Sequence, residues 1–403
     1  MTEPSAAVLD APSATSATSA TSAGPRALPR LPASGAVRAL GLFAAARLTG
    51  MLAVAVTGWL SGRLPLALLG RSWDSRWYLH IAADGYGART LHFRPGIVYS
   101  DLAFFPLYPA LIRALHTVLP VSAGACALLL AWTATLAAAL GIYRIGEHLH
   151  GRAVATFLVV LWGLLPHSVV LSMAYTEPVL TALAAWSLHA VLKGNWMWAG
   201  ALAALAGLSR PNGFAVAAAV VVTAVFEIVR RRGRVPHRLW TGALLAPAGW
   251  VAYVLWVGIR KGDPLGGYFT VQRGWGSTFD LGVGAARFTK KMLLHGDRFV
   301  FAMALVIVMT AVLLYALLLL DRAPLALLVY SGVLLLVALG GSGFFESKPR
   351  FLLPAFPLLL PLACALARTA RARPAHAYLV VGVLAGLSVT YGTYLISYAH
   401  MPL

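Results

Sequence analysis

Apolar stretches of about twenty residues recur along almost the whole chain, separated by short polar connections. At 1.5 Å per residue that length crosses the hydrocarbon core of a bilayer. Candidate spans cover residues 37–61, 125–142, 153–173, 177–193, 195–209, 211–229, 239–259, 297–320, 323–340, 351–369 and 377–398. Lipid offers no partner to backbone N–H and C=O groups, so such stretches must be helices that close their own hydrogen bonds. The expectation is an all-α polytopic membrane protein with about eleven transmembrane helices, forming one domain over residues 37–403. Composition agrees. Of 403 residues, 60% are hydrophobic and 11% charged, about half the charged share of a soluble domain.

The net charge of +19 would point to nucleic acid in a soluble protein. Here much of the basic excess sits in short loops, where it sets orientation, and no nucleic-acid partner is expected. Cys126 and Cys364 both lie inside apolar runs without a Cys or His neighbour at ligand spacing, which excludes a disulfide framework and metal-binding thiols. Residues 1–36 are rich in Ala, Ser, Thr and Pro and read as a disordered cytoplasmic tail. The tail lacks a basic start followed by an apolar core, so the first membrane helix serves as the insertion signal.

Positive loops orient the bundle. Arg230, Arg231, Arg232, Arg234 and Arg238, and also Arg368, Arg371 and Arg373, belong on the cytoplasmic side. Alternation then brings Arg144, Arg152, Lys193 and Arg322 to the same side and leaves the long loops 62–124 and 260–296 outside. Within the first loop, residues 103–119 open on two prolines and carry Arg113 and His116. They read as a helix lying in the membrane interface rather than spanning it. This orientation assigns eight of the thirteen acids (Asp74, Asp84, Asp101, Glu177, Asp263, Asp280, Asp297 and Glu346) to one extracytoplasmic surface.

The densest of these polar motifs is Trp73-Asp74-Ser75-Arg76-Trp77-Tyr78, followed by His80 and Asp84-Gly85-Tyr86. Flat rings cover the apolar faces of a pyranose, and a carboxylate among them binds or deprotonates a hydroxyl. A structural reading pairs Asp74 with Arg71 or Arg76 and makes the tryptophans interfacial anchors. It leaves unexplained the apolar rings on both sides of the acid, surroundings that make a carboxylate a better base. Asp101 either orients sugar hydroxyls or caps the helix that follows it. Glu177, just before Pro178, suits a helix N-terminus and also a hydroxyl contact. Arg210, ahead of Pro211-Asn212-Gly213, and Lys348 and Arg350 around Pro349 lie at membrane-boundary depth. Such cations bind lipid headgroups or clamp one specific phosphate. The second outer loop adds Gln272 and Trp275, which face one ligand if that segment is helical. No Walker loop, HExxH or nucleophile elbow is present.

Together these residues resemble the PIG-V family, the second mannosyltransferases of GPI-anchor assembly and their bacterial relatives. The matching stretches are Trp73-Asp74-Ser75-Arg76-Trp77-Tyr78 with Gly85-Tyr86, then Phe104-Phe105-Pro106-Leu107-Tyr108-Pro109. Tyr175-Thr176-Glu177-Pro178, Ser209-Arg210-Pro211-Asn212-Gly213 and Lys348-Pro349-Arg350-Phe351 follow in order. The resemblance implies a GT-C glycosyltransferase fold, a polyprenyl-phosphate-mannose donor, an extracytoplasmic site, and inversion at the anomeric carbon. Asp74 matches the first-loop acid of that class and is implied as general base, although Ser75 stands where many GT-C enzymes have a second acid. The Ala-, Arg- and Gly-rich composition suits a high-GC bacterium and its plasma membrane. Such bacteria generally lack GPI anchors, so the acceptor is taken as another lipid-linked or cell-envelope glycan.

In the mechanism so implied, Asp74 takes the proton of the acceptor hydroxyl. Arg210, Lys348 and Arg350 hold the donor phosphate. Trp73, Trp77, Tyr78 and Tyr108 stack on sugar, while Arg76, Asp101, Glu177, Gln272 and Trp275 complete the substrate contacts. Lipid phosphate is a good leaving group, so no metal or other cofactor is required. A lipid-linked sugar flippase is the competing class, and it would need polar groups deep inside several spans. A catalytically dead glycolipid binder is a third reading.

Overall fold

A computed structural model describes residues 33–94 and 97–399. The tail expected over residues 1–36 falls outside these, apart from its last four residues, which already belong to the helix Ala33–Leu60. Eight of the eleven apolar segments fall on a single helix or nearly so, and 153–173, 239–259 and 351–369 are each divided between elements. Among the described residues, six helices are long and apolar enough to cross a membrane: residues 35–60, 123–150, 211–230, 237–260, 299–320 and 374–397. A seventh candidate is a broken pair, Phe345–Leu352 and Phe356–Ala372, bent by 76°. Four apolar helices are shorter: Arg152–Gly163, Glu177–Leu192, Trp196–Gly207 and Leu325–Gly340. The protein is a helical multi-pass membrane protein, and its only described strands are two short antiparallel pairs in the connections.

Residues 153–173 do not form the single helix expected of them. The helix stops at Gly163, and a 3-10 turn covers Ser168–Ser172. Pro166 cannot continue the ladder, which leaves backbone groups to be satisfied from neighbouring helices. Arg47, buried in the first helix, donates to the Gly163 carbonyl and to the Ser168 and Ser172 hydroxyls. The Trp132 indole reaches the Ser172 carbonyl at 3.0 Å, and Thr135 reaches that of Leu171 at 2.9 Å. The same device serves the bent pair. At its break, the carbonyls of Leu353 and Pro354 accept from Trp162 and Tyr330 at 3.1 and 3.0 Å. The interior thus holds more polarity than the runs of Ala, Leu and Val imply, and it is spent on broken backbone.

Small residues set close helix contacts. The Trp196–Gly207 helix packs on His237–Leu245 so tightly that a β-carbon on Gly200 would overlap the Gly242 carbonyl. One on Gly242 would overlap that of Trp196. Close backbone approach of this kind replaces the hydrophobic drive that helix pairs lack in lipid. Gly242→Val is expected to destabilise the fold by at least about 1–3 kcal/mol through overpacking, read as a lowered thermal midpoint in detergent. Gly382→Val, where nothing lies within 4 Å of the added carbon, is the control and leaves the midpoint unchanged.

The 28-residue helix Ala123–His150 orders the two ends of the bundle. At 1.5 Å per residue it is about 42 Å long. Its first turn lies against Arg71, where a β-carbon on Gly124 would stand 3.6 Å from the guanidinium. Its last residue, His150, lines a different cavity with Asp321, Arg322, Arg368 and Arg371. Residues 103–119 resolve into a turn and the 12-residue helix Leu107–Val118, too short to cross a bilayer.

Candidate functional site

Asp74 is the first residue of the helix Asp74–Asp84, where the positive end of the backbone dipole favours a carboxylate. Trp73, immediately before it, has φ 52°, a conformation uncommon for a bulky residue and of the kind that gathers at functional sites. Helical spacing puts Asp74, Trp77 and Tyr78 on one face. That face borders a cavity of about 700 Å³, within the range that encloses small ligands. His80 Nδ1 and Asp84 Oδ2 stand 3.1 Å apart, outside the cavity lining.

The inner end of the cavity is a chain of alternating charges. Asp74 Oδ2 lies 2.8 Å from Arg350 Nη1, and Arg350 Nε lies 3.1 Å from Glu177 Oε1. Arg210 Nη1 closes on the same Glu177 oxygen. Glu177 is 2% exposed and both arginines are 8% exposed, whereas Asp74 keeps 25% of its side chain open. These are close contacts between opposite charges. Among the described residues, Nε and Nη1 of both arginines are buried and lack a hydrogen-bond partner. Rings frame them: Arg350 stands 5.2 Å from the Tyr175 ring and 5.3 Å from Phe351, and Arg210 stands 5.8 Å from Phe351. Four residues separated by up to 276 positions therefore meet directly.

Aromatic rings form much of the remaining lining. Trp77 stacks on Phe104 with centroids 5.5 Å apart, meets Trp275 edge-on at 5.1 Å, and has Arg89 over its ring at 4.9 Å. Tyr99 stacks on Trp275 at 4.2 Å, and the Trp275 indole is held by the Ser100 carbonyl at 3.0 Å. Tyr78 pairs its hydroxyl with Thr176 at 3.2 Å. Burial pushes its phenol well above the ordinary range, so it can donate a hydrogen bond but does not act as a base. Gln272 donates to the Tyr268 hydroxyl at 2.7 Å, and it too lines the cavity.

Most residues singled out from sequence gather here. Trp73, Asp74, Arg76, Trp77, Tyr78, Arg210, Gln272, Trp275 and Arg350 line the cavity, and Glu177 anchors its two buried cations. Three lie elsewhere. Asp101 is fully buried and accepts from the Gly87 and Arg89 amides at 2.7 and 3.3 Å, shaping the loop that carries Arg89. Tyr108 donates to the Ala127 carbonyl at 2.8 Å and buttresses Tyr78 edge-on at 5.3 Å. Lys348 gives its ammonium to the carbonyls of Ala338 and Gly341. Asp74 is paired with neither Arg71 nor Arg76; Arg76 Nε donates instead to the Arg71 carbonyl at 2.9 Å.

Arg89 and Tyr99 escaped the sequence reading. Both lie on or beside the hairpin Thr90–Arg94 and Ile97–Ser100, whose few residues carry no periodic signal strong enough to mark it. Among the described residues, no group of three or more His, Cys, Asp or Glu is placed to hold a metal ion.

No family model matches the sequence, and no curated protein matches it. Among solved structures the chain is similar to the oligosaccharyltransferase of Archaeoglobus fulgidus. The apo form gives a TM-score of 0.53 at 14% identity, covering 91% of this chain and 56% of that one. The same enzyme, AglB, in complex with an inhibitory peptide and a dolichol-phosphate gives 0.54 at 14% identity over the same shares. ArnT from Cupriavidus metallidurans in the apo state reaches only 0.47, at 15% identity over 86% of this chain and 74% of that one, and carries no weight. The chain spans little more than half the length of the archaeal enzyme. The likeness is one of fold, shared with the archaeal oligosaccharyltransferase.

Proposed function

We propose that this chain is a membrane glycosyltransferase. It moves mannose from a polyprenyl-phosphate donor to a lipid-linked or cell-envelope glycan, with inversion, at the extracytoplasmic face of a bacterial plasma membrane. The observation that carries the reading is the Asp74–Arg350–Glu177–Arg210 chain at the end of an aromatic-walled cavity. A carboxylate with an open edge stands at one end of this chain, in which two buried guanidiniums alternate with Asp74 and Glu177. The PIG-V resemblance, carried by five motifs in order, supports the choice of mannose. AglB bound to a dolichol-phosphate supports a lipid-phosphate donor on this fold. The basic residues around the far cavity support an extracytoplasmic site, since positive loops stay inside.

The chemistry follows from the residue types. The acceptor oxygen attacks the anomeric carbon from the face opposite phosphate while the bond from that carbon to the phosphate oxygen breaks. Asp74 takes the hydroxyl proton. The departing polyprenyl phosphate gains negative charge, which Arg210 and Arg350 stabilise in a partly dry site. Trp77, Trp275 and Trp73 cover sugar faces, with Tyr78 and Gln272 as hydroxyl partners. Lys348, bonded to two carbonyls, acts by holding the turn that presents Arg350, and Asp101 and Tyr108 act by shaping the wall.

The test uses the purified chain in nanodiscs, a membrane glycolipid extract, and radiolabelled polyprenyl-phosphate mannose, glucose or arabinose. Label is expected to pass from the mannose donor alone. Transfer from a different donor would refute mannose and keep the transferase. No transfer from any donor would overturn the reading.

A further inference from the structure

The cavity holds more positive charge than a single lipid phosphate can use. Among the described residues, Arg63, Arg76, Arg89, Arg210 and Arg350 line it, and Asp74 is the only acid that does. Counting Glu177 beneath as well, five guanidiniums against two carboxylates leave three positive charges. A polyprenyl-phosphate sugar is a phosphodiester and brings one negative charge, which the buried Arg210 and Arg350 are placed to meet.

The outer arginines are different. Among the described residues, no carboxylate lies within ion-pair distance of Arg63, Arg76 or Arg89. Arg63 donates to the Ser397 carbonyl at 3.3 Å and shares the cavity rim with Leu68 and Ile396, a setting that suits a lipid headgroup. Arg76 and Arg89 also line the cavity, Arg89 at its aromatic wall. Arg76 has one nitrogen tied to the Arg71 carbonyl, which fixes its fork. Arg89 lies over Trp77, one helical turn from Asp74. A cation stacked on a sugar-binding ring binds a sugar that carries an anion.

We propose that Arg76 and Arg89 bind an anionic group on the acceptor glycan, so that the acceptor is a sugar bearing a phosphate or carboxylate close to its reacting hydroxyl. The word acceptor rests on the transferase reading; the anion site does not. Arg76, exposed, and Arg89, half-buried, line one cavity without a carboxylate partner, and a bound anion compensates their charge while the ring beneath Arg89 holds the sugar. Neutral glycans would leave both cations uncompensated and bind weakly.

The experiment measures equilibrium binding of radiolabelled mannose 6-phosphate and mannose to the full chain in phosphatidylcholine nanodiscs, whose lipids carry no net charge. The wild type is expected to bind mannose 6-phosphate at least 10-fold more tightly than mannose. Arg76→Gln/Arg89→Gln should reduce that preference below 3-fold with an unchanged thermal midpoint, and Arg210→Gln should keep it. Equal binding of the two sugars by the wild type would overturn the proposal. So would a preference lost in Arg210→Gln and kept in the double variant, which would put the anion at the buried pair. Separately, the glycolipid extract is split on an anion exchanger and each fraction assayed with the labelled donor. Acceptor activity is expected in the retained fraction. Activity confined to the neutral fraction would refute an anionic acceptor and leave the transferase standing. A sugar-phosphate preference without transfer to any fraction would refute the transferase and leave the anion site standing.

Discussion

Replacing Asp74 by Asn is expected to lower the rate of sugar transfer by about 10²- to 10⁴-fold, the range that a positioned general base supplies. The change keeps the shape of the side chain and removes its charge. Asp74 retains a quarter of its exposure and Arg350 keeps Glu177 as a partner, so the loss of stability should not exceed about 1 kcal/mol. Donor affinity should hold or rise, because Arg350 is no longer drawn toward a competing carboxylate. The measurement is single-turnover transfer in nanodiscs beside direct donor binding. A near-normal rate would remove the base assignment. A rate loss matched by lost donor binding would make Asp74 a binding group.

Glu177→Gln is expected to have the largest effect on stability. Glu177 is the buried acid shared by Arg210 and Arg350. Removing its charge leaves Arg210 buried with no carboxylate within ion-pair distance among the described residues, whereas Arg350 keeps Asp74. Breaking a buried pair from one side costs about 3–5 kcal/mol, because the remaining charge stays out of water uncompensated. The thermal midpoint in detergent should fall by several degrees. Added polyprenyl phosphate should raise the midpoint more in the variant than in the wild type, since the ligand then supplies the missing negative charge. An unchanged midpoint would show that the two guanidiniums do not depend on Glu177. A lowered midpoint that polyprenyl phosphate does not lift would show that the anion binds away from Arg210 and Arg350.

Glu177 marks where linear reasoning stopped. Its place before Pro178 reads as a helix start, and the structure agrees: Glu177 is the first residue of its helix. Nothing in the neighbouring residues reveals that its carboxylate meets arginines 33 and 173 positions away. Lys348 and Arg350 make the same point. Both are basic and flank one proline, so they read as a pair. A short helix turns Arg350 into the cavity while Lys348 bonds back to carbonyls near the end of the preceding helix. The hairpin bearing Arg89 and Tyr99 was illegible because strand signals need more residues than it contains.

What the amino-acid sequence settled unaided was the helical, multi-pass class of the chain, most of its helical segments and the cast of polar residues. A helix in lipid must bond to itself, so hydropathy and length alone required a helical multi-pass chain. Charges and large aromatics are costly to place at random among apolar runs, so those present stood out as candidates. Tertiary structure decided which of them touch. Ion pairs and ring contacts act over a few ångströms between residues hundreds of positions apart, and only the packing of whole helices sets those distances.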